Sequence, residues 1–164
     1  MGFDARGGWA LAEGGTIMGL LTMLVFGAAA SAQPVCVPSA ATNRQVVTDF
    51  YRQALIDKQP RPAFARYMAP DFVEHKPDIP HGTREATAEF LGGIIRDVPT
   101  ARWEILRVIA DGDLVALHAR FTPAPGAGEY ALADFFRVKD CKIVEHWDVV
   151  AGPAKDAVNP NSRF

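Results

Sequence analysis

Asp134, His146 and Asp148 are the residues of this chain whose types and spacing point most directly to chemistry. They fall in two apolar runs, Ala133-Asp134-Phe135-Phe136-Arg137-Val138 and Lys142-Ile143-Val144-Glu145-His146-Trp147-Asp148, separated by a short polar turn. β-Branched and aromatic residues flanking such a turn predict an antiparallel hairpin. Side chains alternate along a strand, so His146 and Asp148 share one face, as do Asp134 and Phe136 on the partner strand. If both sets turn into the core, a carboxyl packed against Phe136 and Trp147 has its pKa raised by desolvation. Such a carboxyl takes a proton from carbon beside a carbonyl and returns it to the product. A nearby neutral acid or imidazolium then stabilises the enolate. If both sets turn outward, the same residues make an ordinary solvated hairpin.

The elements that must position this hairpin are legible upstream. Thr42 with Gln45 three residues later forms a capping box. Val46, Val47, Phe50, Tyr51, Ala54 and Leu55 follow at helical spacing, which predicts a first helix over 43–57. Pro60 and Pro62 break it and open a short second helix through Phe64, Tyr67 and Met68, ended by Pro70. Residues 71–75 read as a brief extended piece, and 76–82 as a loop held by two prolines. Thr83 caps a third helix carrying Ala86, Phe90, Leu91 and Ile94, weakened by Gly92-Gly93. After Pro99 the pattern turns to strands, with a hairpin turn at Asp111-Gly112 and a loose connection over 123–128. Three helices followed by a meandering sheet define an α+β domain in which a curved sheet wraps the helices.

Length and charge narrow the function classes. The chain has 164 residues, is 49% hydrophobic and carries a formal net charge of -2, with no Lys/Arg cluster, which argues against electrostatic binding of nucleic acid. Residues 19–32 are apolar and rich in small side chains, and they end in Ala30-Ser31-Ala32, an export-signal cleavage pattern. Arg6 is the only basic residue before that run, so a retained amphiphilic anchor and a start at Met18 stay open beside cleavage near Ala32. The run is short for a membrane span, and Gln33-Pro34-Val35 before Cys36 is not a lipid-attachment motif, so no stable membrane anchor is expected. The expected organisation is an export signal at 1–32, a flexible leader at 33–41 and one domain at 42–164, exported to the periplasm or secreted. Cys36 and Cys141 are the only cysteines. In an oxidising compartment such a pair can bond, for about 4 to 5 kcal/mol on the chain-entropy model. Nothing in the sequence shows that they meet, so the pairing stays open.

The order of elements, together with Phe72-Val73-Glu74-His75-Lys76-Pro77, Asp113-Leu114-Val115-Ala116-Leu117-His118 and the two hairpin strands, resembles the SnoaL-like polyketide cyclases of the nuclear transport factor 2-like superfamily. The resemblance spans about 42–164. The terminal Asn159-Pro160-Asn161-Ser162-Arg163-Phe164 is similar to the tail of a subgroup described as aldol-condensation enzymes. It implies a cone-shaped half-barrel, a deep pocket between sheet and helices, a homodimer, and cofactor-free lyase or isomerase chemistry of the aldol or cyclase type. Distant relatives, the ketosteroid isomerases, use an Asp-x-x-Arg pattern to supply a pocket acid, and Asp134-Phe135-Phe136-Arg137 matches it. In the cyclases an Asp on the last strand is the acid/base, and Asp148 is its positional match. The subgroup usually reads Gln-His-Asn-Pro where this chain has Glu74-His75-Lys76-Pro77, and Gly where it has Cys141. The first change alters the charge at the pocket mouth.

The candidate catalytic residues are therefore Asp148, Asp134, His118 and His146, with His75, Tyr51, Tyr67, Phe136 and Trp147 as candidate substrate-binding residues. Each has a structural alternative. Asp134 can pair with Arg120, Asp148 can simply end a strand, His118 can be a core histidine, and His75 can pin the following loop. His81 reads most simply as exposed loop, and Trp147, Phe72 and Trp103 as packing. A zinc or iron site from His75, His118 and His146 is disfavoured, because no two histidines are locally spaced as ligands. No metal and no cofactor are expected. Nucleophilic serine or cysteine motifs and phosphate-binding glycine loops are absent. Two classes remain: an acid/base enzyme acting on a small apolar or carbonyl-containing molecule, and a non-catalytic binding or oligomerisation module of the same fold.

Overall fold

Helix α1 starts at Ser39, whose hydroxyl accepts from the backbone N–H of Thr42 at 3.0 Å. In the computed structural model, which describes residues 36–164, α1 runs Ala40–Tyr51 and continues into a π-helical turn, Arg52–Ile56. The cap thus lies three residues before Thr42, the position expected from the sequence. The π turn closes with Asp57 N–H on Arg52 C=O at 2.8 Å, and Lys58 leaves it with φ +58. Pro60 then opens α2, Pro60–Tyr67, where its fixed φ suits a first helical position. The expected export signal at 1–32 lies outside the described residues. The expected leader is anchored at its described end, where Cys36 is disulfide-bonded to Cys141 and Thr42 Oγ1 donates to Val37 C=O at 2.9 Å.

Strand β1, Met68–Glu74, is longer than the extended piece read from the sequence. It leads through a proline loop and a short 3-10 turn, Pro80–Gly82, into α3, Arg84–Asp97, whose cap is Thr83 as expected. Strands β2 (Arg102–Asp111), β3 (Leu114–Thr122), β4 (Tyr130–Lys139) and β5 (Lys142–Ala151) complete one five-stranded sheet of order β1-β5-β4-β3-β2. Strand β1 runs parallel to β5, and the other neighbours are antiparallel. The sheet is open and mixed, with three helices on its inner face.

The core lies between α1, α2 and the middle of the sheet. Val47, Phe50, Ala54 and Phe64 meet Val115, Leu117, Ala119, Phe136, Val138 and Ile143, all buried. Phe50 packs edge-on against Phe64 at 5.1 Å and Phe136 at 6.0 Å. Each large side chain withdrawn from water in this way contributes about 1.5–3 kcal/mol.

One irregularity decides what the sheet presents to that core. The β4–β5 register passes from Val138 opposite Ile143 to Arg137 opposite Glu145, leaving Val144 as an extra residue. Such a bulge inverts the alternation beyond it. Ile143 is buried, and past the bulge it is His146 and Asp148, not Glu145 and Trp147, that face the same side. The hairpin turn itself uses Asp140 and Cys141 at φ +48 and +60, the left-handed backbone a two-residue hairpin of this hand requires. Glycine fits there without strain; this chain instead has a cysteine, and that cysteine is the one bonded to Cys36.

Candidate active site

A cavity of about 340 Å³ opens between the sheet and the helices. Its walls are apolar, including Phe50, Phe64, Phe90, Leu91, Trp103 and Phe121, and its polar groups gather at the β1, β4 and β5 end. Glu74, Lys76, Asp134, His146 and Asp148 all reach it, with Tyr51 from α1. The volume suits one small organic molecule.

The polar end is built from strand pairing. Glu74 lies beside His146 in the parallel β1–β5 register, and Asp134 lies opposite Asp148 in the antiparallel β4–β5 register. Like charges opposite one another destabilise a sheet unless cations intervene. Two do. His146 sits between carboxylates, its Nδ1 2.9 Å from both Glu74 oxygens and its Nε2 3.3 Å from Asp134 Oδ1. Lys76 Nζ donates to Asp148 Oδ2 at 2.8 Å. These partners are all largely withdrawn from water, with side-chain exposures of 1% for Glu74, 10% for Asp134 and 12% for Asp148.

Burial alone would drive His146 toward the neutral form, but hydrogen bonds and charge from Asp134 and Glu74 outweigh it and raise its pKa to about 9. His146 is therefore an imidazolium at neutral pH. Burial likewise opposes charge on Lys76, and its bond to Asp148 more than compensates, leaving its pKa above the ordinary value. Tyr51 is pushed the other way. Burial, reinforced by the neighbouring Asp134 charge, holds its phenol well above 10.0, so it stays a neutral hydroxyl. Tyr51 Oη and Asp134 Oδ2 are both buried without a well-formed hydrogen bond among the described residues, and they are neighbours, the Asp134 carboxylate acting directly on the Tyr51 hydroxyl.

The fold keeps this end tight. Glu74 Oε1 also accepts from the Lys76 backbone N–H at 2.9 Å. Gly82, at φ +56, packs so closely behind it that a Cβ there would fall 2.6 Å from the Glu74 carbonyl oxygen.

Of the residues expected from the sequence, Asp134, His146, Asp148, Tyr51 and Phe136 line the cavity. Four others lie away from it. His118 is on the outer face of β3, because Val115, Leu117 and Ala119 take the inner one; its Nδ1 accepts from Arg107 at 2.8 Å. Trp147, one residue from His146, alternates outward and stacks on His75 with ring centres 4.6 Å apart, so neither reaches the cavity. Tyr67 packs edge-on to Phe50 at 6.4 Å and is absent from the cavity wall. The alternative partner for Asp134 is also excluded, since Arg120 pairs with Glu104 and Glu129. Asp148 does line the cavity, but as half of an ion pair rather than as a free acid/base.

Glu74 and Lys76 also line the cavity, though neither was among the candidate site residues. The signal was present: Phe72 is a core residue, and alternation from it turns Glu74 inward. Among the described residues, no group of three His, Cys, Asp or Glu side chains is arranged to hold a metal ion, and no helix is long and apolar enough to cross a membrane.

A family model described as a SnoaL-like domain matches residues 47–146, a span that includes Glu74, Lys76, Asp134 and His146. The chain belongs to the SnoaL-like domain family. Solved structures agree on the fold. IdmH of Streptomyces antibioticus, named as a candidate polyketide cyclase, is 22% identical, with a TM-score of 0.55 over 66% of this chain and 91% of its own. A candidate polyketide cyclase of Acidithiobacillus ferrooxidans is 18% identical, with a TM-score of 0.57 over 70% and 91%. AclR of Streptomyces galilaeus, named as a candidate hydroxylase, is 20% identical, with a TM-score of 0.58 over 69% and 91%. No curated protein sequence matches. Because similar folds carry names for different reactions, the fold alone does not assign the chemistry.

Proposed function

We propose that this protein is a cofactor-free acid/base enzyme, of lyase, isomerase or cyclase type, that removes a proton from carbon beside a carbonyl in a small, largely apolar molecule. The observation that carries this reading is the state of Asp134. One carboxylate oxygen is held by His146, and the other lies buried beside the Tyr51 hydroxyl at the wall of an apolar cavity. A carboxylate positioned in this way is suited to take a proton from a ligand. Glu74 and His146 orient it, and the neutral Tyr51 hydroxyl beside it is placed to hydrogen-bond a bound oxygen.

The assignment differs from the sequence expectation in one respect. Asp148 was the positional match for the acid/base, but its Oδ2 is tied to the Lys76 ammonium, whereas Asp134 is held by His146 with the Tyr51 hydroxyl beside it. A panel of neutral ketones and aldehydes, incubated in deuterium oxide with the protein, tests the reading. Exchange at carbon that falls by about 10²–10⁴-fold in Asp134→Asn supports it, that being the usual contribution of a positioned acid or base. Exchange that is unchanged in Asp134→Asn removes it and leaves a binding module.

The same reading includes an oxidising location and a homodimer. The Cys36–Cys141 disulfide supports export, since such bonds persist outside reducing compartments. Exposed Phe135, Val149 and Ile109 on the outer face of the sheet support self-association. Sedimentation of the protein lacking residues 1–32 tests the second point, and a monomer at all concentrations contradicts it.

A further inference from the structure

Proton abstraction moves a negative charge rather than creating one. The proton passes from carbon to Asp134, and the electron pair of the broken C–H bond ends on the carbonyl oxygen as an enolate. Positive charge is then needed at a second place, and the cationic side chains that line the cavity among the described residues are His146 and Lys76.

His146 is fully engaged. Both ring nitrogens face carboxylates, at 2.9 Å and 3.3 Å, so an imidazolium here has no N–H left for a ligand. Lys76 is different. Its ammonium has three N–H groups, of which Asp148 takes one at 2.8 Å. Asp78, the other carboxylate nearby, stands at 3.6 Å and is 70% exposed, too far for a hydrogen bond. The lysine side chain keeps 19% exposure and lines the cavity.

Resting on the role proposed for Asp134, we infer that Lys76 is a further catalytic residue, whose ammonium receives the substrate carbonyl oxygen and holds it as it becomes an enolate. Asp148 is the positioning residue that fixes this ammonium. Glu74 links the two cations, because one of its oxygens accepts the Lys76 backbone N–H while both face His146. The charges also select the substrate. Glu74, Asp134 and Asp148 against His146 and Lys76 leave one net negative charge at the polar end, which disfavours a ligand bearing a free carboxylate. A neutral ketone, aldehyde or phenol suits the site.

The probe for this is 2-naphthol, whose ionised form is an aromatic enolate visible by ultraviolet absorbance. Its ionisation is followed across a pH titration, in which the released proton goes to solvent and the oxyanion stays in the site. In the wild type, bound naphthol should ionise about ten-fold or more readily than in water, and Lys76→Met should lose that gain, as a preorganised charge at the oxygen requires. Lys76→Arg should keep most of it, and 2-naphthoate should bind about ten-fold more weakly than 2-naphthol. If Lys76→Met does not fold, Lys76→Gln carries the same expectation. Equal ionisation in the wild type and the lysine variants, or no naphthol binding by the wild type, overturns the assignment. The two readings fail separately. Exchange that survives Asp134→Asn removes the base, whereas exchange lost in Asp134→Asn but intact in Lys76→Met removes only the lysine.

Discussion

Two histidines on one sheet, His146 and His118, occupy opposite electrostatic settings. His146 faces inward from β5, with a carboxylate on each side and Phe136 stacked 4.6 Å from its ring. His118 faces outward from β3, with Arg107 on its Nδ1 and the Phe164 ring 6.4 Å away. Strand parity, not residue type, separates them. The same contrast holds for acidic pairs with a cation between. Asp113–Arg137–Glu145 spans the outer face in contact with water, where solvent screens ion pairs and they contribute little. Glu74–His146–Asp134 is enclosed, where the same charges strongly shift a proton equilibrium. Charge shifts a proton equilibrium strongly here where the sheet hides it from water.

The comparison can be broken most severely at its acidic members. Asp134→Asn should lower carbon exchange by about 10²–10⁴-fold, whereas Asp113→Asn on the outer face should leave it within about two-fold. Comparable losses in both would erase the distinction between faces, and kinetics on the two variants measures it.

A second contrast is covalent. The disulfide ties the start of the described chain to the β4–β5 turn across a sequence separation of 105. Replacing both cysteines by serine should reduce unfolding free energy by about 2–4 kcal/mol. Denaturant titration reads this, and unchanged stability would show that the bridge does not constrain the unfolded chain.

The pH dependence sharpens the comparison further. His146 has a pKa of about 9 in the folded protein against 6.5 when unperturbed, so the folded state holds its proton more tightly. That stabilisation is fully present below pH 6.5 and is lost as pH rises through about 9, amounting to about 3 kcal/mol. His146→Gln should flatten this fall in a series of denaturation curves, while His118→Gln should leave its shape unchanged. A smaller effect is expected from Glu74→Gln, which keeps the size of the side chain but removes one anion. It should destabilise by about 1–3 kcal/mol at neutral pH, while Glu145→Gln stays within about 0.5 kcal/mol.

Much of this was legible in the residues. The α+β order and the cap at Thr83 follow from local patterns, the expected Asp111-Gly112 turn falls one residue later at Gly112-Asp113, and alternation placed His146 with Asp148. Alternation also separated Trp147 from His146, and the same rule that brings His146 to the cavity turns Trp147 away from it. What remained hidden was long-range. The parallel pairing of β1 with β5 brings Glu74 to His146 across the length of the domain, and no local spacing announces it. The bulge at Val144 is equally silent, because a β-branched residue fits a regular strand as well as an irregular one. The disulfide is explained only by the fold, which sets the Cα atoms of Cys36 and Cys141 6.3 Å apart.

The inner face of the sheet clamps a charged imidazolium between two buried carboxylates. Nuclear magnetic resonance of ¹⁵N-labelled histidine side chains across a pH titration observes it directly. His146 should keep both ring protons through neutral pH and titrate near 9. A His146 that titrates at or below 6.5, the ordinary value for the residue, would contradict it.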